Sequence, residues 1–507
     1  MAIIKDDALF EKAEAFKRPL KVKTVRPLKI VEFKENENCF QNIEVIEKGD
    51  FSLPVELNRW DKILVDFGEH FVGYLNFSLE NHGLRICDSP VRLRFSFGEF
   101  PYEILKPYEE YNGDLGNGWF QREERFLPWM PCSTRLDRRY AFRYLLIERI
   151  DNGQFSVLLR DLFAETVSAV DVKDALPIDI KDETLKRIYD ASLRTLKECE
   201  QDVFEDGPKR DRRLWLGDLR VQAITDYKTF KNYDLVKRCL YLLGAVRTDS
   251  KKVSSCFFPD SPPYIDDLPS WIFDDYCLFF ISCLYDYYMD SKDMEPIRDL
   301  YEIAKEQVLY VKDTYKTCPH PFIDWCPDLD KEVAYLGVYV YTLKQFKFIT
   351  ALMEYDTKWI EEEIDGISKL LLCRYDAEKG LFVTSGGQIS QHSQVWGILS
   401  GVLNQTENIA LVQKIEALDT PFTMRTPFAV HYYLEALYFC GLKEKAIDKI
   451  KAYWGKILDA GFDCCPECFN EKNDFESPYK APEINSACHA WSCTPAYWIY
   501  RFIKEEK

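Results

Sequence analysis

The hydrophobic pattern of this chain changes its period once, near residue 175. Before that point apolar residues alternate with polar ones, as in residues 73–80 and 91–98. After about residue 180 they recur at helical spacing. A period of two indicates strands and a period near 3.6 indicates helices. With 507 residues the chain is also too long for one compact core. The pattern therefore predicts two domains of different architecture, residues 1–175 and residues 176–507.

The first domain is predicted to be an antiparallel β-sandwich. Leu75, Phe77 and Leu79 share one face of a strand, and residues 91–98 repeat the alternation. Turn residues separate the apolar runs, as in residues 81–83 and 151–153. Short alternating strands with turns at this spacing are typical of sandwiches.

The second domain is predicted to be an (α/α)6 barrel. Its period gives twelve helices near residues 183–200, 217–231, 233–246, 274–290, 293–316, 333–355, 358–373, 391–403, 406–418, 427–440, 443–458 and 485–503. Short connections favour antiparallel pairing of neighbours, so twelve helices make six helical hairpins. Six such hairpins close into a barrel with two concentric rings of helices. The fold class is multidomain α and β, with the sandwich first and the barrel second.

Charge and composition exclude several classes of partner. The formal net charge is −18, which disfavours nucleic acid and anionic membranes. The charged N-terminus lacks the apolar core of a secretory leader, and no apolar run is long enough to span a membrane. Seventeen scattered cysteines are typical of reduced thiols, so we predict a cytoplasmic protein without a disulfide framework. The expected partner is a carbohydrate, bound by a monomer or an oligomer.

The loops at one end of such a barrel form a pit, and several predicted loops are rich in acidic and aromatic residues. They lie at residues 205–215, 322–330, 385–393 and 464–471. A sugar combines polar edges with apolar faces, and such loops suit it.

The stretch EDGPKRDRRLWLGD, residues 205–218, concentrates this chemistry. Gly207-Pro208 forms a turn, and Asp211 and Asp218 are seven residues apart, so on a helix they would share one face. Clustered carboxyl groups repel one another, which raises one pKa while neighbouring arginines keep others ionised. Glycoside hydrolysis needs one protonated acid and one ionised base.

At this point the chain resembles glycoside hydrolase family 78, the α-L-rhamnosidases. Asp206-x-Pro208-x-Arg210-Asp211, followed by Trp215 and Gly217-Asp218, is similar to the family's D-C-P-x-R-E-x-x-G-W-x-G-D signature. Five further pieces follow in the family's order, over roughly residues 60–500. They are residues 72–83 with Gly98-Glu99, the F-x-D-W of Phe322 to Trp325, the S-Q-H of Ser390 to His392, Gly461 with Glu467, and the H-x-W-S of His489 to Ser492.

The resemblance implies an inverting hydrolase of terminal α-L-rhamnosides or a related deoxy-sugar glycoside. It places Asp211 as general acid and Glu467 as general base. It implies a sugar site lined by Asp206, Arg210, Asp218, Trp325, His392, His489 and Trp491, without metal or cofactor. Asp211 stands where the family usually has Glu, and residues 463–466 replace its T-T-x-W run. The sequence ends near the last predicted helix, so we expect no C-terminal β-domain.

Two other interpretations remain open. Cys465-x-x-Cys468 is a weak zinc signal, because a second pair at standard spacing is missing, although Cys464, Cys488, His489 and Cys493 lie nearby. The Glu-to-Asp change at position 211 would also suit a non-catalytic carbohydrate-binding protein on a degenerate glycosidase fold. Retention of several other carboxylates favours the enzyme.

Overall fold

The computed structural model describes residues 3–83, 89–259, 264–265 and 271–504. Within these ranges, ten antiparallel strands form the first domain. They are β2 (Lys21–Val25), β3 (Lys29–Glu35), β4 (Ile43–Asp50), β5 (Val55–Leu57), β6 (Lys62–His82), β7 (Val91–Gly98), β8 (Arg122–Leu127), β9 (Cys132–Arg135), β10 (Tyr140–Arg149) and β11 (Ser156–Ser168). A short helix, α2 (Pro101–Leu105), follows β7.

The long strand β6 serves both layers of the sandwich. Its first part pairs with β10 and its second part pairs with β11. The two layers face each other across an apolar core, where the rings of Phe77 on β6 and Phe95 on β7 lie 5.0 Å apart. These residues belong to the alternating runs seen in the sequence. The predicted antiparallel sandwich is confirmed.

Twelve α-helices follow in the described part of residues 176–507. They are α3 (Glu183–Cys199), α4 (Leu216–Asp226), α5 (Tyr233–Ala245), α6 (Asp274–Ser291), α7 (Glu295–Thr314), α8 (Glu332–Leu352), α9 (Lys358–Leu372), α10 (Gln391–Ser400), α11 (Gln405–Ala417), α12 (Pro427–Phe439), α13 (Lys443–Asp459) and α14 (Pro495–Lys504). The predicted six hairpins are confirmed. Short strands lie in the connections: β12 (Leu214–Trp215), β13 (Val246–Thr248), β14 (Cys256–Phe258), β15 (Tyr264–Ile265), β16 (Tyr375–Asp376) and β17 (Leu381–Phe382).

The helices form two rings. Helices α4, α6, α8, α10 and α12 contact one another in that order, and residues 490–504 close the ring back onto α4. All eleven residues of α4 are buried, as expected for an inner helix. The partner helices α3, α5, α7, α9, α11 and α13 lie outside. Helices α7, α9, α11 and α13 bury one stripe each, whereas α5 is buried over most of its surface because α1 packs against it.

The last predicted helix begins ten residues later than expected. Residues 485–494 contain a 3-10 turn, Ala490–Ser492, and α14 starts at Pro495. Proline is favoured at the first helical position and disfavoured further inside a helix. The segment 485–494, which precedes α14, places His489 and Trp491 at the end of the barrel.

The N-terminal segment packs on the helical half. Strand β1 (Ile3–Lys5) pairs with β13, and helix α1 (Asp7–Ala15) packs against α5. Sixteen cysteines lie in the described residues and all are free, whereas Cys87 lies outside them. Within the described ranges we found no helix with both the length and the hydropathy needed to cross a bilayer.

Candidate active site

A cavity of about 190 Å³ lies at the end of the barrel that faces the β-domain. Its lining divides into a polar and an aromatic part. The polar part comprises Asp206, Arg210, Asp211, Arg213, Asp218, Glu467, Tyr479 and His489. The apolar and aromatic part comprises Leu115, Trp119, Trp215, Trp271, Phe273, Tyr276, Phe322, Trp325 and Trp491. Eight of the nine predicted site residues therefore line one cavity, although up to 285 positions separate them in the sequence.

Asp206 organises the loop between α3 and α4. Its two carboxylate oxygens accept the backbone N–H groups of Asp211, at 3.2 Å, and Arg213, at 3.1 Å. Its backbone carbonyl accepts the N–H of Ala490, at 2.7 Å. The side chain thus fixes the backbone at the predicted acid, and the main chain joins this loop to the His489 segment.

Two glycines of the motif are required by close packing. A Cβ atom on Gly207 would lie 2.4 Å from the carbonyl oxygen of Arg210, and one on Gly217 would lie 2.4 Å from the ring of Tyr276. A side chain at 207 would therefore require the backbone to move, and one at 217 would require the buried Tyr276 ring to move. Asp218 follows in the first turn of α4.

Glu467 is held as an ionised carboxylate. It is 2% exposed, and its two oxygens accept hydrogen bonds from the Arg210 guanidinium and from the Tyr479 hydroxyl. Burial opposes ionisation, but the charge of Arg210 and the Tyr479 hydrogen bond lower the pKa of Glu467. Burial and the neighbouring Glu467 raise the pKa of Tyr479 well above its usual value, which keeps the phenol a donor.

Asp211 lies on the other side of Arg210. The Arg210 Nη1 atom is 3.5 Å from Asp211 Oδ1, while its Nη2 atom donates to Glu467. One guanidinium therefore spans the two carboxylates, and they lie within reach of one sugar ring. Arg213 faces the same carboxyl group, with its Nη1 atom 3.7 Å from Asp211 Oδ2, so the loop turns both arginines toward the predicted acid.

The remaining carboxyl groups favour the protonated form. Burial and the charge of Asp211 raise the pKa of Asp206 to about 8. Burial and the charge of Asp206 raise the pKa of Asp218 well above its usual value. His489 lies between them, 3.8 Å from Asp206 and 3.6 Å from Asp218. Burial lowers the pKa of His489 to about 4, so the imidazole is neutral near pH 7.

Three buried polar atoms of the cavity lining have no hydrogen-bond partner within the described residues. They are Asp218 Oδ1, His489 Nδ1 and Trp325 Nε1. An unpaired buried donor or acceptor is costly unless a ligand or water satisfies it. A carboxyl oxygen, an imidazole nitrogen and an indole N–H can together bind the hydroxyl groups of a sugar.

His392 does not line the cavity, which corrects the sequence prediction. His392 lies at the start of α10, and its Nε2 atom is 2.7 Å from Asp324 Oδ2. Asp324 also accepts the N–H of Trp325 and the Thr426 hydroxyl. The S-Q-H and F-x-D-W motifs thus contact each other, and His392 supports the loop that presents Trp325. The order of the motifs along the sequence gave no information on how deeply His392 is buried.

Sequence reasoning missed residues that close the cavity. Tyr479 lies in an aperiodic segment, and Leu115 and Trp119 come from the β-domain between α2 and β8. The backbone N–H of Asp114 donates to the Tyr479 carbonyl, at 2.9 Å, and holds this loop over the barrel. A tryptophan in the glycine-rich run GDLGNGWF was the available signal, but the prediction confined the site to the helical domain.

Six helical hairpins around a pit with paired carboxylates define a six-hairpin glycosidase. Residues 27–166 match the glycosyl hydrolase family 78 α-rhamnosidase N-terminal domain, and residues 175–503 match the bacterial α-L-rhamnosidase six-hairpin glycosidase domain. The chain belongs to glycoside hydrolase family 78, the α-L-rhamnosidases, and it is a glycosidase.

Solved structures agree with this assignment. A rhamnosidase from Klebsiella oxytoca with rhamnose bound is 32% identical and superimposes with a TM-score of 0.93, covering 99% of this chain and 100% of that one. A family 78 rhamnosidase of Bacillus sp. GL1 is 18% identical, with a TM-score of 0.72 over 90% of this chain and 49% of that one, and shares the fold. A search of curated protein sequences found no match.

Proposed function

We propose that this enzyme hydrolyses terminal α-L-rhamnosides with inversion of the anomeric centre, using Asp211 as general acid and Glu467 as general base. One observation carries the proposal: a single guanidinium, that of Arg210, spans an ionised buried Glu467 and Asp211 in one cavity. An inverting glycosidase needs two carboxyl groups that flank the scissile bond, about 6.5–9.5 Å apart, with room for a water between base and sugar.

Glu467 is suited to the role of general base. A carboxylate that stays ionised can accept a proton from a water as that water attacks the anomeric carbon. Arg210 and Tyr479 hold its two oxygens in place, and Trp491 donates its indole N–H to the Glu467 backbone carbonyl at 2.8 Å. The base therefore has little freedom to turn away.

The position of Asp211 suits it to the role of general acid. Its backbone is fixed by Asp206, and its side chain is the more exposed of the pair, 16% against 3% for Glu467. An aglycone leaves toward solvent, so its oxygen lies on the exposed side. The proton given to that oxygen is restored from solvent in each cycle.

The cavity supports a small deoxy-sugar. Its volume of about 190 Å³ lies below the roughly 300–1,000 Å³ of sites for drug-sized ligands, so we infer that one ring enters and the cleaved sugar is terminal. Asp218, His489 and Trp325 face the hydroxyl groups, and the aromatic part packs the methyl carbon. The relative from Klebsiella oxytoca was solved with rhamnose bound.

A panel of nitrophenyl glycosides tests the substrate. The α-L-rhamnoside should be cleaved fastest, because a hydroxyl added to its methyl carbon would lie unpaired against the aromatic part of the cavity. The α-L-mannoside, which differs only by that hydroxyl, is the matched control. Faster cleavage of the mannoside, or of a β-glycoside, would contradict the proposed sugar.

Tyr479→Phe tests how the base is tuned. Loss of the hydrogen bond should raise the pKa of Glu467, because a bond to the ionised form is worth about 1.5–3 kcal/mol, or roughly one to two pH units. The base works above its pKa, so the acidic limb of kcat/KM should move to higher pH. Tyr111→Phe is the control, since its hydroxyl donates to Leu115 O at 2.7 Å in the same cluster. An unmoved acidic limb would remove Tyr479 from this role.

We also propose that the enzyme works in the cytoplasm as a monomer or oligomer, without nucleic acid as partner. The free thiols of the described residues and the net charge of −18 support this.

A further inference from the structure

Beneath the sugar cavity, four buried side chains from four segments meet at the boundary of the two domains. His70 comes from β6, Cys199 ends α3, Cys464 follows α13 and Cys488 precedes α14. The ligand-forming atoms of His70, Cys464 and Cys488 all lie within 4.8 Å of one another. Cys199 packs in the same cluster, with its thiol against that of Cys488.

One side of the His70 ring is held by a carboxylate. Its Nε2 atom lies 3.1 Å from Glu99 Oε1. Glu99 also accepts the N–H of Ala487, at 2.7 Å, and lies 3.3 Å from the Lys209 ammonium, so it is an acceptor. Glu99 therefore occupies the Nε2 side of the ring. His70 is 1% exposed, and the Cys464 thiol lies within hydrogen-bond reach of its imidazole.

We propose that His70 Nδ1, Cys464 Sγ and Cys488 Sγ bind a structural Zn²⁺ ion, with Cys199 Sγ as fourth ligand. Three thiolates and one imidazole form a common structural zinc set. Zinc–sulfur bonds of about 2.3 Å place tetrahedral ligands roughly 3.8 Å apart. His70, Cys464 and Cys488 already lie within 4.8 Å of one another and need only small side-chain adjustments, whereas the Cys199 thiol has to move in from beside Cys488. A metal-bound histidine commonly donates its other N–H to a carboxylate, as His70 does to Glu99.

The proton and charge balance is simple. Binding replaces the S–H protons of the cysteines by the metal, and these protons pass to solvent with no change of oxidation state. Zinc with three thiolates carries one net negative charge. Arg194 lies close enough to Cys464 to offset it, and Lys209 offsets Glu99.

Such a site would join the segments that build the cavity. Cys464 precedes Glu467 by three residues, Cys488 directly precedes His489, and the Cys199 thiol lies 3.8 Å from the Asp206 carbonyl oxygen. His70, on β6, would link these segments to the β-domain. The site differs from the C-x-x-C considered in the sequence, because Cys465 packs on α3 and Cys468 lies near Glu476 O, at 4.0 Å.

Metal analysis of the full-length protein tests this inference. Wild type purified in the presence of Zn²⁺ and then desalted should hold close to one zinc per chain by mass spectrometry of the metal. Cys488→Ser should lose most of it. Cys468→Ser, a control from the same region, should keep it. A wild type without zinc, or equal zinc in both variants, would overturn the proposal.

Two measurements on wild type alone keep the test decisive if Cys488→Ser fails to fold. Reconstitution with Co²⁺ should give a sulfur-to-cobalt charge-transfer band and the intense visible bands of a tetrahedral site. Thiol titration of denatured protein, without reductant, should find all seventeen cysteines. Absence of the charge-transfer band, or a shortfall of two thiols from a Cys464–Cys488 disulfide, would overturn the zinc site.

Discussion

Glu467→Gln is expected to lower kcat roughly 10²–10⁴-fold on an aryl α-L-rhamnoside, the usual contribution of a general base. Glutamine keeps the size of the side chain and one carbonyl oxygen for Tyr479 or Arg210, but it cannot take a proton from water. The base acts only in the chemical step, so KM should change little. Steady-state kinetics at the pH optimum of wild type provide the measurement.

The control for this experiment is Glu471→Gln. Glu471 lies four residues further on, pairs with Lys456 at the surface and does not line the cavity. It should retain wild-type kinetics. If Glu467→Gln stays within a few-fold of wild type while protein folding is intact, Glu467 is not the base.

Asp211→Asn is expected to produce a loss that depends on the leaving group. Asparagine cannot protonate the glycosidic oxygen, so natural alkyl or sugar aglycones should be cleaved roughly 10²–10⁴-fold more slowly. A dinitrophenyl rhamnoside needs little protonation and should be cleaved nearly as fast as by wild type. The ratio of the two substrates, measured as kcat/KM, reports the acid directly.

Asp202→Asn is the matched control, since Asp202 is exposed, pairs with Lys17 and lies outside the cavity. Its substrate ratio should equal that of wild type. An equal loss on both substrates would mean that Asp211 supports the loop or binds the sugar. Full activity of both Asp211→Asn and Glu467→Gln would place the catalytic pair elsewhere.

The architecture was predictable because it is encoded locally. The alternation around Phe77 and Phe95 specifies the inward faces of strands. Helix number and order then determined the six hairpins. The loop at residues 205–218 was predictable for a similar reason, since its glycines and acids lie close together in the sequence.

Other features of the site depend on tertiary contacts that no local pattern contains. His392 is buried against Asp324, and its distance from the cavity depends on how two loops pack. Trp119 reaches the site from the other domain, and Tyr479 comes from a segment without a period. The direction of the Arg213 side chain depends on a backbone that Asp206 holds. Pairwise packing, rather than sequence spacing, decides each of these.

Proton NMR of the first-formed sugar tests the central claim most directly. Wild type acting on an aryl α-L-rhamnoside should release β-L-rhamnose first, and the α anomer should grow in only as mutarotation proceeds. That order requires one displacement by a water that Glu467 activates, with protonation by Asp211 on the leaving side. Release of α-L-rhamnose first would mean a double displacement through a covalent intermediate, and it would contradict the assignment of Glu467 as a general base.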